Sequence, residues 1–550
     1  MAKVWINDQE IELGDDERLN GIQVARRAGV DVPHYCWHPG LSVVASCRMC
    51  LVETGSKNAE TGEVSMMPKL VPACQTPAKD GTVFVTDSDK VKHARAFVEE
   101  ALLIDHPIDC PICDKAGECY LQDYHFEHGQ KERRADIKPF TSRRRPMGET
   151  VTLFVDRCVM CTRCVRFTRE ITGTNELMTV QRGAHEEIDV FPGFPLENKL
   201  SGNVVDLCPV GALGDQDFLY SQRVWFMKTH NSVCTGCSTG CSIRVDENQD
   251  EVYRVRPREN PHINKWWMCD DGRYGWRYIH DDARLIGPEI QNKQDANADS
   301  GANGDGPLPG PMEWSTVIAK ADEDVRAAGR LAVVLSPYLT VEEAFLLCTY
   351  AREVDSQVLI ALGPVPQLGE DETFPSGFTI HAEKAPNRRG VEEVAASFGK
   401  ALSFEELLPK VAAKEVSAVW VTAGYPQANW IDESAASQLA KADVLVVQDI
   451  FDSPLWQAAT HRLPSATFAE KEGSYVNFAN RLQSVPWAIR PPAGARSEGG
   501  VLWRLLGRTG LYQAKQVLAE VTREIPYFRA AADGVSEFGI DLTIGMLAEA

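Results

Sequence analysis

The distribution of cysteine limits this chain more than any other feature. Fifteen of its sixteen cysteines lie between Cys36 and Cys269, and with one histidine they sort into four sets of four. The first set is Cys36, Cys47, Cys50 and Cys74, and the second is His106, Cys110, Cys113 and Cys119. The third is Cys158, Cys161, Cys164 and Cys208, and the fourth is Cys234, Cys237, Cys241 and Cys269. No cysteine in that stretch is left over. Four such sets read as a row of iron–sulfur clusters, a wire for electrons.

Disulfides are the competing use of cysteine, and they need an oxidising compartment. The start, Met1-Ala-Lys-Val-Trp-Ile-Asn-Asp, has no apolar core of a leader peptide. No apolar run approaches the roughly 20 residues of a membrane span. The expectation is therefore a protein of the cytosol or of a cytosolic membrane face, where thiols stay reduced and bind metal. At 550 residues the chain is too long for one core. Its net charge of −21 argues against a phosphate-backbone partner, and solubility accounts for the acidity.

Along the chain, Val4-Trp5-Ile6 and Glu10–Leu13 flank Asn7-Asp8-Gln9, a hairpin signal that opens a β-grasp, ferredoxin-like domain over residues 1–87. A helix through Leu19, Ile22, Ala25 and Ala28 is expected to stop at Gly29, and residues 82–86 alternate as a strand. Residues 88–146 hold the second set. There Ser88 caps a helix that must end before Pro107, which leaves His106 beside the loop of Cys110 and Cys113. Residues 147–225 hold the third set. Residues 226–287 hold the fourth, with strands around the turn Asp246–Asp250. Residues 288–312 are rich in Asn, Asp, Ala and Gly and are expected to be a flexible linker. Over 313–550 the runs Leu331–Ser336, Gln357–Leu362, Ala418–Thr422 and Ala442–Val447 alternate with helical stretches such as Val341–Glu353, which is the order of a parallel α/β domain. The fold class is thus α+β iron–sulfur domains followed by an α/β domain.

The third set is the most specific. Cys-x2-Cys-x2-Cys with a distant Cys208-Pro209 is the ligand grammar of a [4Fe–4S] cubane. Structural zinc more often uses two separated Cys-x2-Cys pairs. The first set suggests a [2Fe–2S] cluster, with the tight Cys47/Cys50 pair serving one edge. The second set needs a fourth ligand, and His106, four residues before Cys110, is favoured over His93, His125 and His128. The fourth set is a cubane pattern, with Trp266, Trp267, Tyr274 and Trp276 around Cys269 as packing. Cys348 reads as a small buried hydrophobe.

Five strings carry a resemblance to a known family. They are His34-Tyr-Cys36, Ser46-Cys-Arg-Met-Cys50-Leu-Val-Glu, Asp105-His-Pro-Ile-Asp-Cys110-Pro-Ile-Cys113-Asp-Lys-Ala-Gly-Glu-Cys119, Arg157-Cys158-Val-Met-Cys161-Thr-Arg-Cys164-Val-Arg-Phe and Gly202-Asn-Val-Val-Asp-Leu-Cys208-Pro-Val-Gly-Ala-Leu. With them, residues 1–286 resemble the large iron–sulfur subunit of bacterial respiratory complex I, the proton-pumping NADH:quinone oxidoreductase. The resemblance implies one [2Fe–2S] cluster on the first set and [4Fe–4S] clusters on the other three. It places the first three on the path from flavin to quinone and the fourth, a remnant of a molybdenum-enzyme ancestor, off it. The segment Gly55–Lys69 is longer than usual for this family and is expected to form a surface loop. Residues 313–550 are similar to part of a molybdopterin-oxidoreductase fold, with Ala469–Gln483 as the echo.

The chain has no G-x-G-x-x-G, so NADH and flavin are expected on partner subunits. The other expected partners are a small [2Fe–2S] subunit and the subunits carrying later clusters and the quinone site, all on the cytoplasmic side of the membrane. No catalytic residue is expected in this chain. The alternative is an electron-transfer or catalytic subunit of a formate dehydrogenase or an NAD-reducing hydrogenase. Molybdenum relatives place a Lys two residues after the fourth cluster cysteine, where this chain has Asp271. Neither molybdenum nor pterin is therefore expected.

Overall fold

The computed structural model describes residues 2–132, 134–138, 140–183, 185–291 and 312–544, so most of the expected linker, 292–311, lies outside the described residues. The chain divides into two compact units, Met1–Met227 with Phe374–Gly377, and Lys228–Thr373 with Phe378–Ala550.

The first unit begins with the expected hairpin. Strands Ala2–Ile6 and Gln9–Leu13 pair antiparallel from Ile6↔Gln9, and Asn7 makes the tight turn at φ 52°, a left-handed conformation that Asn tolerates. Helix Gly21–Arg27 follows, held by a reciprocal capping box between Asn20 and Gln23 and ended by Gly29 at φ 74°. Strand Thr82–Val85 then runs parallel to the first, with Trp5 opposite Val83. That crossover is the β-grasp. Its core joins Val4, Ile6 and Leu13 to Ile22 and Val24 of the helix and to Phe84.

The segment Gly55–Lys69 is not the surface loop expected of it. Gly55, Ser56 and Lys57 pair with Met66, Ser65 and Val64, so the extra residues extend the sheet by a strand. The alternation Val64-Ser65-Met66 is strand-like, and backbone pairing satisfies donors that a loop would leave to water. Farther on, helix Asp89–Leu103 is capped by the Ser88 hydroxyl, which accepts from the Val91 N–H. A three-stranded sheet of Leu213–Asp215, Val151–Phe154 and Arg144–Pro146 underlies the third ligand set.

The second unit opens with antiparallel strands Lys228–Val233, Ser242–Asn248 and Glu251–Pro257. Both hairpin turn residues, Gln249 and Asp250, have positive φ, so the turn is shorter than the expected Asp246–Asp250. The α/β sheet has the order Glu289–Ile290, His461–Pro464, Val444–Asp449, Ala418–Thr422, Leu331–Leu335, Leu359–Leu362. Its last five strands are mutually parallel, as the buried Val-rich runs predict. Glu289–Ile290, inside the stretch expected as linker, instead forms the antiparallel edge strand on His461 and Arg462. A salt bridge from Arg462 to Glu289 (3.1 Å) fixes it, and the pairing covers an otherwise open edge. The stretch Ala469–Gln483 supplies a fully buried ion network: Lys471 Nζ lies 2.9 Å from Glu343 and 3.4 Å from Glu498. Among the described residues no helix is long and apolar enough to cross a membrane.

Candidate metal centres

The four cysteines of the first set are drawn into two pairs. Cys36 and Cys47 share a side-chain hydrogen bond, and so do Cys50 and Cys74. This corrects the reading in which Cys47 and Cys50 form one edge. The cause is local backbone: Ala45 (φ 53°) and Arg48 (φ 60°) are both left-handed and fold the loop so that Cys47 faces Cys36. The hydrogen bond from Cys47, with the N–H groups of Cys47 and Ser46, outweighs burial and lowers Cys36, while the same bond and burial raise Cys47. Two pairs of sulfur ligands are what two irons need.

In the second set, His106, Cys110 and Cys119 line one cavity of about 300 Å³, and Cys113 interacts electrostatically with Cys110 and Cys119. Burial lowers His106 to about 4, so its imidazole is neutral and has a free ring nitrogen. His125 lines the same cavity, whereas His93 and His128 do not. The third set converges on a single cavity lined by all four cysteines. Met160 and Thr162 are left-handed here, which lets the short Cys158–Cys164 loop turn three side chains inward. Burial pushes Cys161 up to about 11 and Cys119 likewise. A bare thiolate is disfavoured in such surroundings, and coordinated metal supplies the compensating charge.

The fourth set belongs to the second unit. Cys234, Cys237 and Cys269 line a cavity, and Cys241 interacts with all three. The Gly236 and Gly272 N–H groups each donate to a ligand sulfur, Cys234 and Cys269, at 3.4 Å. Gly272 has no room for a side chain, since a Cβ would stand 2.8 Å from Cys234 Sγ. Among the described residues, no group of three or more His, Cys, Asp or Glu side chains is placed to hold a single metal ion. Cys348 is fully buried in helix Val341–Val354, as expected of a core residue.

Within the first unit, buried arginines join the sets. The Arg157 guanidinium, next to Cys158, pairs with Asp109, next to Cys110, at 2.7 Å, with exposures of 2% and 8%. Tyr120 N–H, beside Cys119, donates to the carbonyl of Pro209, beside Cys208 (2.9 Å). Gly211 is pressed against the second set, where a Cβ would stand 2.2 Å from Cys113 Sγ. On the other side, Arg163 bonds the carbonyls of Leu207 (3.2 Å) and Trp37 (2.6 Å), and Arg166 those of Cys161 and Cys36. The third set therefore stands between the first and the second. Ligand spacing gave no sign of these arginines, although all three lie inside or beside the third motif.

Folding and ligands together define a class: a chain of iron–sulfur modules followed by a molybdopterin-oxidoreductase-type domain. Family models match five stretches of the chain. They match a 2Fe-2S iron-sulfur cluster binding domain at residues 3–89 and the NADH-ubiquinone oxidoreductase-G iron-sulfur binding region at 95–134. The ferredoxin-like domain of NADH-quinone oxidoreductase subunit 3 matches at 148–214, the molybdopterin oxidoreductase Fe4S4 domain at 227–281 and molybdopterin oxidoreductase at 311–508.

The chain is a relative of the large iron–sulfur subunit of NADH:quinone oxidoreductase. It is 33% identical over 361 residues to the G-type subunit of the NADH-quinone oxidoreductase of Rickettsia felis, covering 65% of this chain and 50% of that one. It is 32% identical over 377 residues to the 75 kDa subunit of the NADH-ubiquinone oxidoreductase of Reclinomonas americana, covering 68% and 51%. It is 41% identical over 279 residues to the mitochondrial iron-sulfur protein 1 of the NADH dehydrogenase of Solanum tuberosum, covering 50% and 36%. The chain thus spans about half the length of the curated relatives it matches, or less. A solved NAD+-reducing [NiFe]-hydrogenase chain is 24% identical with a TM-score of 0.33, covering 40% of this chain and 91% of that one.

The molybdopterin match raises the question of a pterin. The cavity beside the fourth set, about 540 Å³, has Lys384 as its one cationic side chain, offset by Asp271. Lys384 Nζ already donates to the His381 carbonyl (2.9 Å). The lining adds no cysteine or serine beyond the cluster ligands. Side-chain amides of Gln367, Gln427 and Asn429 complete the polar lining, so the wall offers one balanced cation to the phosphate of a pterin carrying molybdenum, which is best held by cationic groups.

Proposed function

We propose that this chain is the electron-relay subunit of a proton-pumping NADH:quinone oxidoreductase. Cys36, Cys47, Cys50 and Cys74 hold a [2Fe–2S] cluster. His106, Cys110, Cys113 and Cys119, then Cys158, Cys161, Cys164 and Cys208, then Cys234, Cys237, Cys241 and Cys269 hold three [4Fe–4S] clusters. When bound, these clusters supply one-electron reduction and reoxidation. The chain's own residues fix their spacing, exclude water and place N–H groups on the sulfurs. The observation that carries this reading is the third set's position, tied through buried arginines to one neighbour on each side. Partner subunits would supply NADH and flavin upstream and quinone downstream. The assembly would sit on the cytoplasmic face of the membrane, and neither molybdenum nor pterin would be bound here.

Anaerobically purified protein should contain about 14 irons per chain with matching acid-labile sulfide. Stoichiometric zinc with little sulfide would refute the assignment. A second expectation concerns the histidine. His106→Cys should keep a four-iron cluster at a lower potential, because thiolate adds a negative charge where neutral imidazole added none, the same sign as at His-ligated Rieske centres. His125→Ala should leave that cluster's EPR signal in place. Loss of the signal in His125→Ala, with His106→Ala unaffected, would transfer the ligand role to His125.

A further inference from the structure

We propose that Arg166 is a positioning residue shared by two centres: its buried guanidinium locks the ligand loops of the first and third sets together and raises the potential of both clusters. It rests on the cluster assignment proposed for those sets. Arg166 is 2% exposed and makes four hydrogen bonds, all to backbone carbonyls. Nε reaches Thr162 (3.3 Å) and Nη1 reaches Ser42 (2.5 Å). Nη2 is divided between Cys36 (2.5 Å) and Cys161 (3.1 Å), one ligand residue from each set.

The charge is the second half of the reasoning. Carbonyl oxygens bring only partial negative charge, so none of these bonds neutralises the guanidinium. The carboxylate that interacts with it at longer range, Glu170, is itself bonded to Ser42 N–H (2.8 Å), Ser42 Oγ (2.6 Å) and Arg169 (3.0 Å). Burial acts against the cation, and the thiolate sulfurs that would ligate the two clusters belong to the same residues, Cys36 and Cys161, whose carbonyls it holds. The cation therefore stands between one ligand residue of each set. Arg keeps its proton throughout.

One electron passing between the two clusters reduces one and oxidises the other, with no bond made or broken in the protein. Reduction adds negative charge to either cluster, and a fixed cation in a dry interior favours that form. The same fork holds two loops at once, which a lysine ammonium does with fewer directed bonds. Arg163, by contrast, bonds Trp37 and Leu207, residues beside ligands rather than ligands themselves.

The test is an EPR-monitored redox titration of the purified, assembled complex carrying Arg166→Met, Arg166→Gln or Arg166→Lys. In the neutral variants the first and third clusters should both move to lower potential. A roughly tenfold change in each reduction equilibrium is expected, about 59 mV for a one-electron couple. The second and fourth clusters should hold their wild-type midpoints, and Arg166→Lys should recover most of the shift. Unmoved midpoints at the first and third clusters would overturn the proposal, as would an equal shift at all four. If neither neutral variant assembles while Arg166→Lys matches wild type, Arg166 is only a structural tie and the proposal fails. Wild-type complex with no cluster signals and no iron would instead overturn the cluster assignment itself.

Discussion

Cys161→Ala is expected to abolish electron passage from NADH to quinone in the assembled complex while sparing NADH oxidation by an artificial acceptor at the flavin. The expectation comes from position. The third set is the middle station of the first unit, tied to the second set by Arg157–Asp109 and to the first by Arg163 and Arg166. Electron transfer weakens steeply with distance, so loss of the middle centre leaves the outer two without a relay. Cys161 is the informative ligand to remove because its thiol is buried while its backbone carbonyl remains available to Arg166. The loop can thus keep its tie to the first set when the thiol is gone. The measurement pairs quinone reduction with ferricyanide reduction, both normalised to flavin, and reads the EPR spectrum for loss of one four-iron signal. Quinone reduction at the wild-type rate in assembled complex lacking that signal would remove the third set from the path.

The grouping of the cysteines was legible in the sequence because such loops are local. Cys158, Cys161 and Cys164 are separated by two residues each, and such spacing carries its chemistry without a fold. The parallel sheet was legible for a similar reason: Leu331–Leu335 and Ala418–Thr422 are continuous apolar runs buried on both faces. What escaped were arrangements made across the fold. Arg166 meets Cys36 and Ser42 across 130 and 124 residues, and no local pattern records such contacts. The division of the first set into Cys36/Cys47 and Cys50/Cys74 escaped because proximity in sequence favours Cys47 with Cys50. Two left-handed residues decide otherwise. The strand Val64–Met66 and the edge strand Glu289–Ile290 were too short for their composition to signal pairing, which is settled by an exposed neighbour in need of partners.

Replacing Cys234 and Cys237 together by alanine is expected to cut the yield of assembled complex severely, yet leave turnover per assembled complex near wild type. Two features of the second unit support the division. The fourth set joins three pieces at one point: the loop after strand Lys228–Val233, the start of strand Ser242–Asn248 and the short helix Asp270–Tyr274. Their internal bonds are largely polar. Asn264, fully buried, donates to the carbonyls of Ser242, Arg258 and Trp267 and accepts from Ser242 N–H. In such a module, metal–thiolate binding is folding free energy, and removing two ligands removes it. The second feature is the lack of an electron destination in the adjoining cavity. Its one cation, Lys384, is offset by Asp271 and bonded to the His381 carbonyl, which leaves little positive charge for a phosphorylated pterin that could take an electron onward. A cluster without an acceptor in this cavity would serve the fold rather than the current. The measurement is flavin-normalised NADH:quinone activity beside the amount of complex recovered. Full assembly with turnover lost would place the fourth cluster on the path, and molybdenum in the purified wild-type protein would show that the cavity is a cofactor site after all.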